Sequence, residues 1–242
     1  MYLHNNTTGE NTTQFGWGIQ FSGHLAVTRW VDLYMNGMYR GSYIFTQKTG
    51  LANNSIDLDD ETAAVFLELD SYYDEVYRFK SDSYRLPVNV KEPEFSEGET
   101  ILSYEQAMDD FNAFETALYE DTHFERFIDI DKLVRFMLVN ELALNTELNH
   151  PKSVFLYKES LNDMGSRYTF GPVWDFDWSY GYESGRSYCT SGAEDDIFSY
   201  LTSGVGNRFF SHLWSRSDWV KYRYYELWTE FMEQHLQELI DY

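Results

Sequence analysis

The spacing of apolar residues changes at Ser103, and that change limits the fold more than any other feature of the chain. Before it, apolar residues fall in short runs broken by polar turns; after it they recur at helical spacing. Ser103 opens the tetrapeptide SYEQ, a reciprocal capping box in which the serine hydroxyl takes the Gln106 amide and the glutamine reaches back. Met108, Phe111, Phe114, Ala117 and Leu118 then share one side of a predicted helix. A second helix is predicted from near Asp131 to about Leu144, with Leu133, Phe136, Met137, Asn140, Glu141 and Leu144 along one side. Residues 207–214 and 218–242 read as two more amphipathic helices. Trp219, Tyr222, Tyr225, Leu227, Trp228, Phe231, Leu236 and Leu239 form their expected inward side.

Ahead of Ser103 the pattern is that of strands. Residues 30–34 and 41–47 are rich in β-formers and joined by MNGMYR, in which Asn36 and Gly37 both tolerate positive φ. That pair predicts a hairpin with a type I′ turn. Further strands are predicted at 64–69, 77–79 and 86–90, and Lys91 ends the last run as a solvent-facing lysine. GWGIQFSG at 16–23 reads as a turn, because its third glycine falls too late for G-x-G-x-x-G and no basic residue follows closely. The two halves make an α+β chain, strand-rich before about residue 100 and helix-rich after it.

Composition removes several function classes. With a formal net charge of -22 the chain repels nucleic acid and anionic membrane surfaces, which need a concentrated positive patch. Hydrophobic residues at 43% and aromatics at 19% argue for a packed globule. The single cysteine, Cys189, excludes an internal disulfide, and with no adjacent histidine it is not read as a nucleophile. No apolar stretch approaches the length of a membrane span, and the first residues lack the basic and apolar regions of a signal peptide.

The stretch built for chemistry is FGPVWDFDWSYG at 170–181. Residues 167–173 read as a strand leading into Asp175 and Asp177, which can face one ligand because residues two apart on extended backbone point the same way. Two hard oxygen donors suit Mg²⁺ or Ca²⁺ beside a phosphate. Trp174, Phe176 and Trp178 are expected to bury the segment, and buried acids need a partner, a proton or a metal. Upstream, NTELNHPKSVFLY at 145–157 runs from a helix end through a polar loop into a strand. A hairpin spans the 28 residues between Glu147 and Asp175, so Glu147, Lys152, Asp175 and Asp177 are expected at one end of a two-stranded unit. Protein kinases hold a catalytic loop and a metal-binding aspartate in this relation.

Four stretches in order resemble the spore coat protein H (CotH) kinase family, secreted and atypical relatives of protein kinases. They are VDLYMNGMYRGSY at 31–43, FLELD at 66–70 with VNVKEP at 88–93, HPKSVFLYK at 150–158, and GPVWDFDWSYG at 171–181. The resemblance implies one kinase-like domain over 1–242, with residues 1–100 its strand-rich part and 101–242 the helix-rich lobe bearing the acidic site. The family's N-terminal portion, with its nucleotide-binding lysine, is not seen before residue 15. By resemblance the activity is transfer of the γ-phosphoryl group of ATP to a hydroxyl of a protein substrate, dependent on Mg²⁺ or Mn²⁺, with Ca²⁺ a third candidate. Asp175 and Asp177 are then the metal ligands, and Glu147 stands where the family commonly has an aspartate. Lys152 and Ser153 fall near a metal-binding asparagine for which Asn149 or Asn145 could substitute. Glu147, Lys152 and Asp177 are the catalytic candidates, and Lys152, Asn149 and Ser153 the nucleotide-binding ones. Residues 182–203 occupy the place of a kinase activation segment or form a plain surface loop. The implied location is secreted or cell-surface, without membrane insertion or a nucleic-acid partner.

Two departures bear on activity: glutamate for aspartate at Glu147, and Glu147-x4-Lys152 in place of acid-x4-Asn. Reacting groups are sensitive to displacements of about an ångström. Three readings therefore compete: a protein kinase, a catalytically inactive pseudokinase, and a surface interaction or adhesion domain.

Overall fold

A computed structural model describes residues 28–46, 49–51, 55–58, 60–95, 101–176, 179, 198 and 204–241. The glycine stretch at 16–23, Asp177, Trp178, Cys189 and all of 182–203 except Phe198 lie outside the described residues.

β1 (Thr28–Met35) and β2 (Met38–Thr46) form an antiparallel hairpin. Asn36 at φ 52 and Gly37 at φ 76 make its turn, both positive as a type I′ turn requires. A second sheet contains β3 (Val65–Leu69), β4 (Arg78–Lys80), β5 (Pro87–Glu92), β6 (Val154–Lys158) and β7 (Thr169–Phe170). Its order is β4-β5-β3-β6-β7, and each neighbouring pair is antiparallel. The helices are α1 (Tyr104–Glu120), α2 (Ile130–Leu142), α3 (Val205–Ser215), α4 (Asp218–Gln234) and the short α5 (Leu236–Asp241), with 3-10 turns at Phe124–Phe127 and Thr146–Asn149. The fold is α+β, with most strands in the first half and the helices in the second.

The halves are not separate layers, because β6 from the second half pairs directly with β3. The strand expected over 167–173 contracts to Thr169–Phe170. Gly171 still donates its amide to the Phe155 carbonyl at 2.8 Å, but Pro172 has no N–H and ends the ladder.

Local rules set the helix starts. Ser103 Oγ accepts the Gln106 amide at 3.2 Å and Gln106 Oε1 accepts the Ser103 amide at 2.8 Å, closing the capping box. Asp129 caps α2 by accepting the Lys132 amide at 3.0 Å.

β3 is buried along its whole length, so both faces of the sheet are covered there. Val65, Leu67 and Leu69 join the main core with Phe111, Phe114 and Met137 of the helices. Ala64 and Phe66 face the other way into a smaller cluster with Leu51, Ile56 and Phe155, where the Phe66 and Phe155 rings stack at 5.3 Å. Lys158 bridges β6 to α1 through Asp110, with Nζ–O distances of 2.8 and 3.0 Å.

The last helix differs from expectation. Trp219, Tyr222 and Tyr225 are exposed, whereas Val220, Tyr224, Leu227 and Phe231 face inward. α4 packs on α2, and Arg223 crosses to Asp131 Oδ1 at 2.7 Å. The inward row is therefore i, i+4, i+7, i+11, too narrow to hold the aromatics one or two positions away. α4 ends at His235, whose φ of -124 leaves helical geometry, so Leu236 and Leu239 belong to α5 and are only half-buried.

Candidate active site

Alternation along β3 places Glu68 and Asp70 on the same face as Phe66, beyond the end of the small aromatic cluster. Asn89 of β5 lies opposite Glu68, and Lys91 sits at the bulge between the Phe66–Glu92 and Leu67–Val90 pairs. Lys91 is not the solvent-facing lysine that its place at a strand end suggested. Its Nζ lies 3.4 Å from Glu68 Oε2 and also pairs with the Glu75 carboxylate. Burial raises the Glu68 pKa, Lys91 offsets part of that, and the charge of Asp70 adds to it. At the more exposed Lys91, burial works against the charge, yet the two carboxylates prevail and raise its pKa.

Asp70 connects this face to the polar loop before β6. Its Oδ1 accepts the Tyr72 amide at 2.7 Å, and its Oδ2 accepts the Ser153 amide at 3.1 Å. The Ser71 amide donates to the Pro151 carbonyl at 2.8 Å, so the turn after β3 is laced to the loop on both sides. Ser153 has φ 53, a left-handed conformation that costs a non-glycine residue about 1 kcal/mol or more. The Asp70 bond helps hold it there. Ser153 Oγ then donates to Asp175 Oδ2 at 3.4 Å, and Asp175 is itself left-handed at φ 63.

The turn bearing Glu147 and Asn149 is anchored from α2 by asparagines. Asn140 Nδ2 donates to the Phe136 carbonyl at 2.8 Å, and Asn145 Nδ2 donates to Asn140 Oδ1 at 2.9 Å. Asn145 Oδ1 accepts the Glu147 amide at 3.2 Å, starting the 3-10 turn. Glu147 and Asn149 are both buried. Lys152 follows this turn and is half-buried, its Nζ 5.0 Å from the centroid of the largely exposed Tyr72 ring. Partial burial works against its charge, but Glu147, then Tyr72, Asp175 and Asp70, raise its pKa.

Of the sequence-predicted residues, the structure brings Glu147, Lys152, Ser153 and Asp175 into one neighbourhood, with Asn149 on the turn that supports it. Asp177 lies outside the described residues. Sequence reasoning missed Asp70, Tyr72 and the Glu68–Lys91 pair as parts of this neighbourhood. A signal was present in FLELD, where two acids follow Phe66 on one face of an apolar strand.

Among the described residues, no three His, Cys, Asp or Glu side chains are grouped to hold a metal ion. Asp175 with the Ser153 hydroxyl is nonetheless a hard oxygen set, with Asp70 on the other side of Ser153. Mg²⁺ commonly takes one or two carboxylates and completes its shell with substrate phosphates and water, so these donors fit such an ion.

A family model described as CotH kinase protein matches residues 21–240. The chain belongs to the CotH kinase family. No curated protein and no solved structure matches it. Membership carries a kinase-like function and, at family level, the use of ATP with a divalent metal ion. No helix among the described residues is long and apolar enough to cross a membrane.

Proposed function

We propose that this CotH-family chain transfers the γ-phosphoryl group of ATP to a hydroxyl on a protein substrate, at a secreted or cell-surface location. The observation that carries the reading is Lys152, an ammonium among the charges of Glu147, Asp175 and Asp70 in a kinase-family chain. Phosphoryl transfer asks mainly for position and charge: acids for the metal, cations for the phosphates, and a carboxylate for the attacking hydroxyl. Asp175 and Asp177 are the proposed metal ligands, with Ser153 orienting Asp175 through its hydroxyl. A divalent ion held there would supply positive charge against the phosphates. Lys152 binds and orients the phosphates, and Asn149 is assigned to the same end of the nucleotide. Glu147 orients the acceptor hydroxyl and holds its proton. Lys91, fixed between Glu68 and Glu75 on the adjoining sheet face, is a second cation that could serve the nucleotide.

Burial of Glu147 favours a second reading, nucleotide binding without turnover, because a buried carboxylate must be uncovered to meet an acceptor. The experiment is incubation with γ-labelled ATP and Mn²⁺, with and without an added acceptor protein. Transfer that is lost in Asp177→Ala and Glu147→Ala supports the kinase. Saturable ATP binding with no transfer selects the second reading, and neither binding nor transfer removes both.

A further inference from the structure

α3 begins directly against the turn that carries Glu147 and Asn149, backbone against backbone. A Cβ added to Gly206 would stand 1.9 Å from the Leu148 carbonyl oxygen, 3.1 Å from that of Asn149 and 3.0 Å from Pro151 Cδ. One added to Gly204 would stand 2.1 Å from the Asn149 carbonyl oxygen and 3.3 Å from Asn149 Oδ1. Gly204 also has φ 90 and ψ 169, a region open almost only to glycine. The carbonyls have little room to retreat. All four residues of the turn are buried, and its start is tied to α2 through Asn145 and Asn140.

We propose that Gly204 and Gly206 are positioning residues: they seat the Thr146–Asn149 turn on the start of α3 and so set where Glu147 and Asn149 stand in the site. Any side chain at 206 must move the Leu148 carbonyl oxygen from 1.9 Å to at least 3.0 Å from the new Cβ. A displacement of about an ångström is the scale on which reacting groups lose their alignment. The proposal deepens the phosphotransfer reading and depends on it only for its kinetic consequence.

Gly206→Ala and Gly204→Ala are compared with Val205→Ala, which changes the part-exposed residue between them. Hydrogen–deuterium exchange is followed over residues 145–150 and over the interiors of α1 and α2. In each glycine variant the turn is expected to exchange at least tenfold faster while the two helix interiors stay as in the parent, and Val205→Ala should match the parent throughout. In the labelling assay, kcat should fall at least tenfold because Glu147 rides on the displaced turn, and KM for ATP should rise with it because Asn149 rides on the same turn. Unchanged exchange in both glycine variants overturns the seat. So does loss of cooperative unfolding in both, which would make the glycines supports of the whole lobe. A parent protein without turnover sinks the phosphotransfer reading alone, and the exchange measurement still decides the seat.

Discussion

Ser153 and Asp70, 83 positions apart in sequence, are joined by a hydrogen bond of 3.1 Å from the Ser153 amide to Asp70 Oδ2. That bond holds a left-handed serine whose hydroxyl in turn reaches Asp175. Three distant segments meet at one residue: the end of β3, the loop before β6 and the acidic turn after β7. The site's geometry thus depends on the sheet order, which sets β6 beside β3.

Removing the Asp70 carboxylate strands two amide donors, those of Tyr72 and Ser153. Asp70→Ala is expected to lower stability by about 1–3 kcal/mol, with Asp70→Asn intermediate because one acceptor oxygen remains. Urea unfolding with unchanged m-value measures this. A change in Asp70→Ala within about 0.5 kcal/mol, the range of ordinary surface substitutions, would show the bond to be incidental.

The Lys158–Asp110 pair predicts a non-additive series. Lys158 is almost wholly enclosed, with its side chain 6% exposed, so Asp110→Ala leaves an uncompensated charge and should cost about 3–5 kcal/mol. Lys158→Met combined with Asp110→Leu should recover most of that loss, because both desolvation costs disappear together. Additive losses in the double variant would mean that the two charges are not coupled.

His212 should make stability pH-dependent. Its Nδ1 lies 2.6 Å from the Tyr84 hydroxyl, and burial, then Arg216 just past the end of its helix and Arg208 within it, lower its pKa from 6.5, with Asp121 partly opposing. The unfolded chain therefore binds the proton more readily than the folded one. This contribution is fully present above pH 6.5 and is lost as pH falls through the lowered folded value. Relative to His212→Gln, the parent should lose melting temperature faster between pH 7.5 and about pH 5. Parallel curves for the two proteins would exclude the linkage.

Mg²⁺ or Mn²⁺ at millimolar concentration should raise the melting temperature, since a ligand that binds only the folded state stabilises it. At about a hundred times the dissociation constant the gain is roughly 2.7 kcal/mol. Asp175→Asn should abolish the shift while keeping the fold, because asparagine tolerates the left-handed conformation found there at φ 63. A shift that survives in Asp175→Asn would move the ion to other ligands.

What the chain declared by itself was whatever neighbours within a few residues could decide. Asn36-Gly37 had to turn a hairpin, Ser103 and Gln106 had to cap a helix, and the shift of apolar period there divided strands from helices. Asp175 could be singled out because buried acids need a partner, a proton or a metal, and Lys152 because its polar loop leads into the same hairpin. The rest was decided by pairings that no local rule contains. Lys91 looks like a surface lysine from its strand-end position, and only the pairing of β5 with β3 gives it Glu68. Asp70 became part of the site only when β6 paired with β3 and brought Ser153 to it. Trp219, Tyr222 and Tyr225 fit an amphipathic pattern as well as Val220 and Tyr224 do, and only the packing of α4 on α2 left them outside. Periodicity states that a helix has an apolar side, but the partner surface decides which residues that side covers.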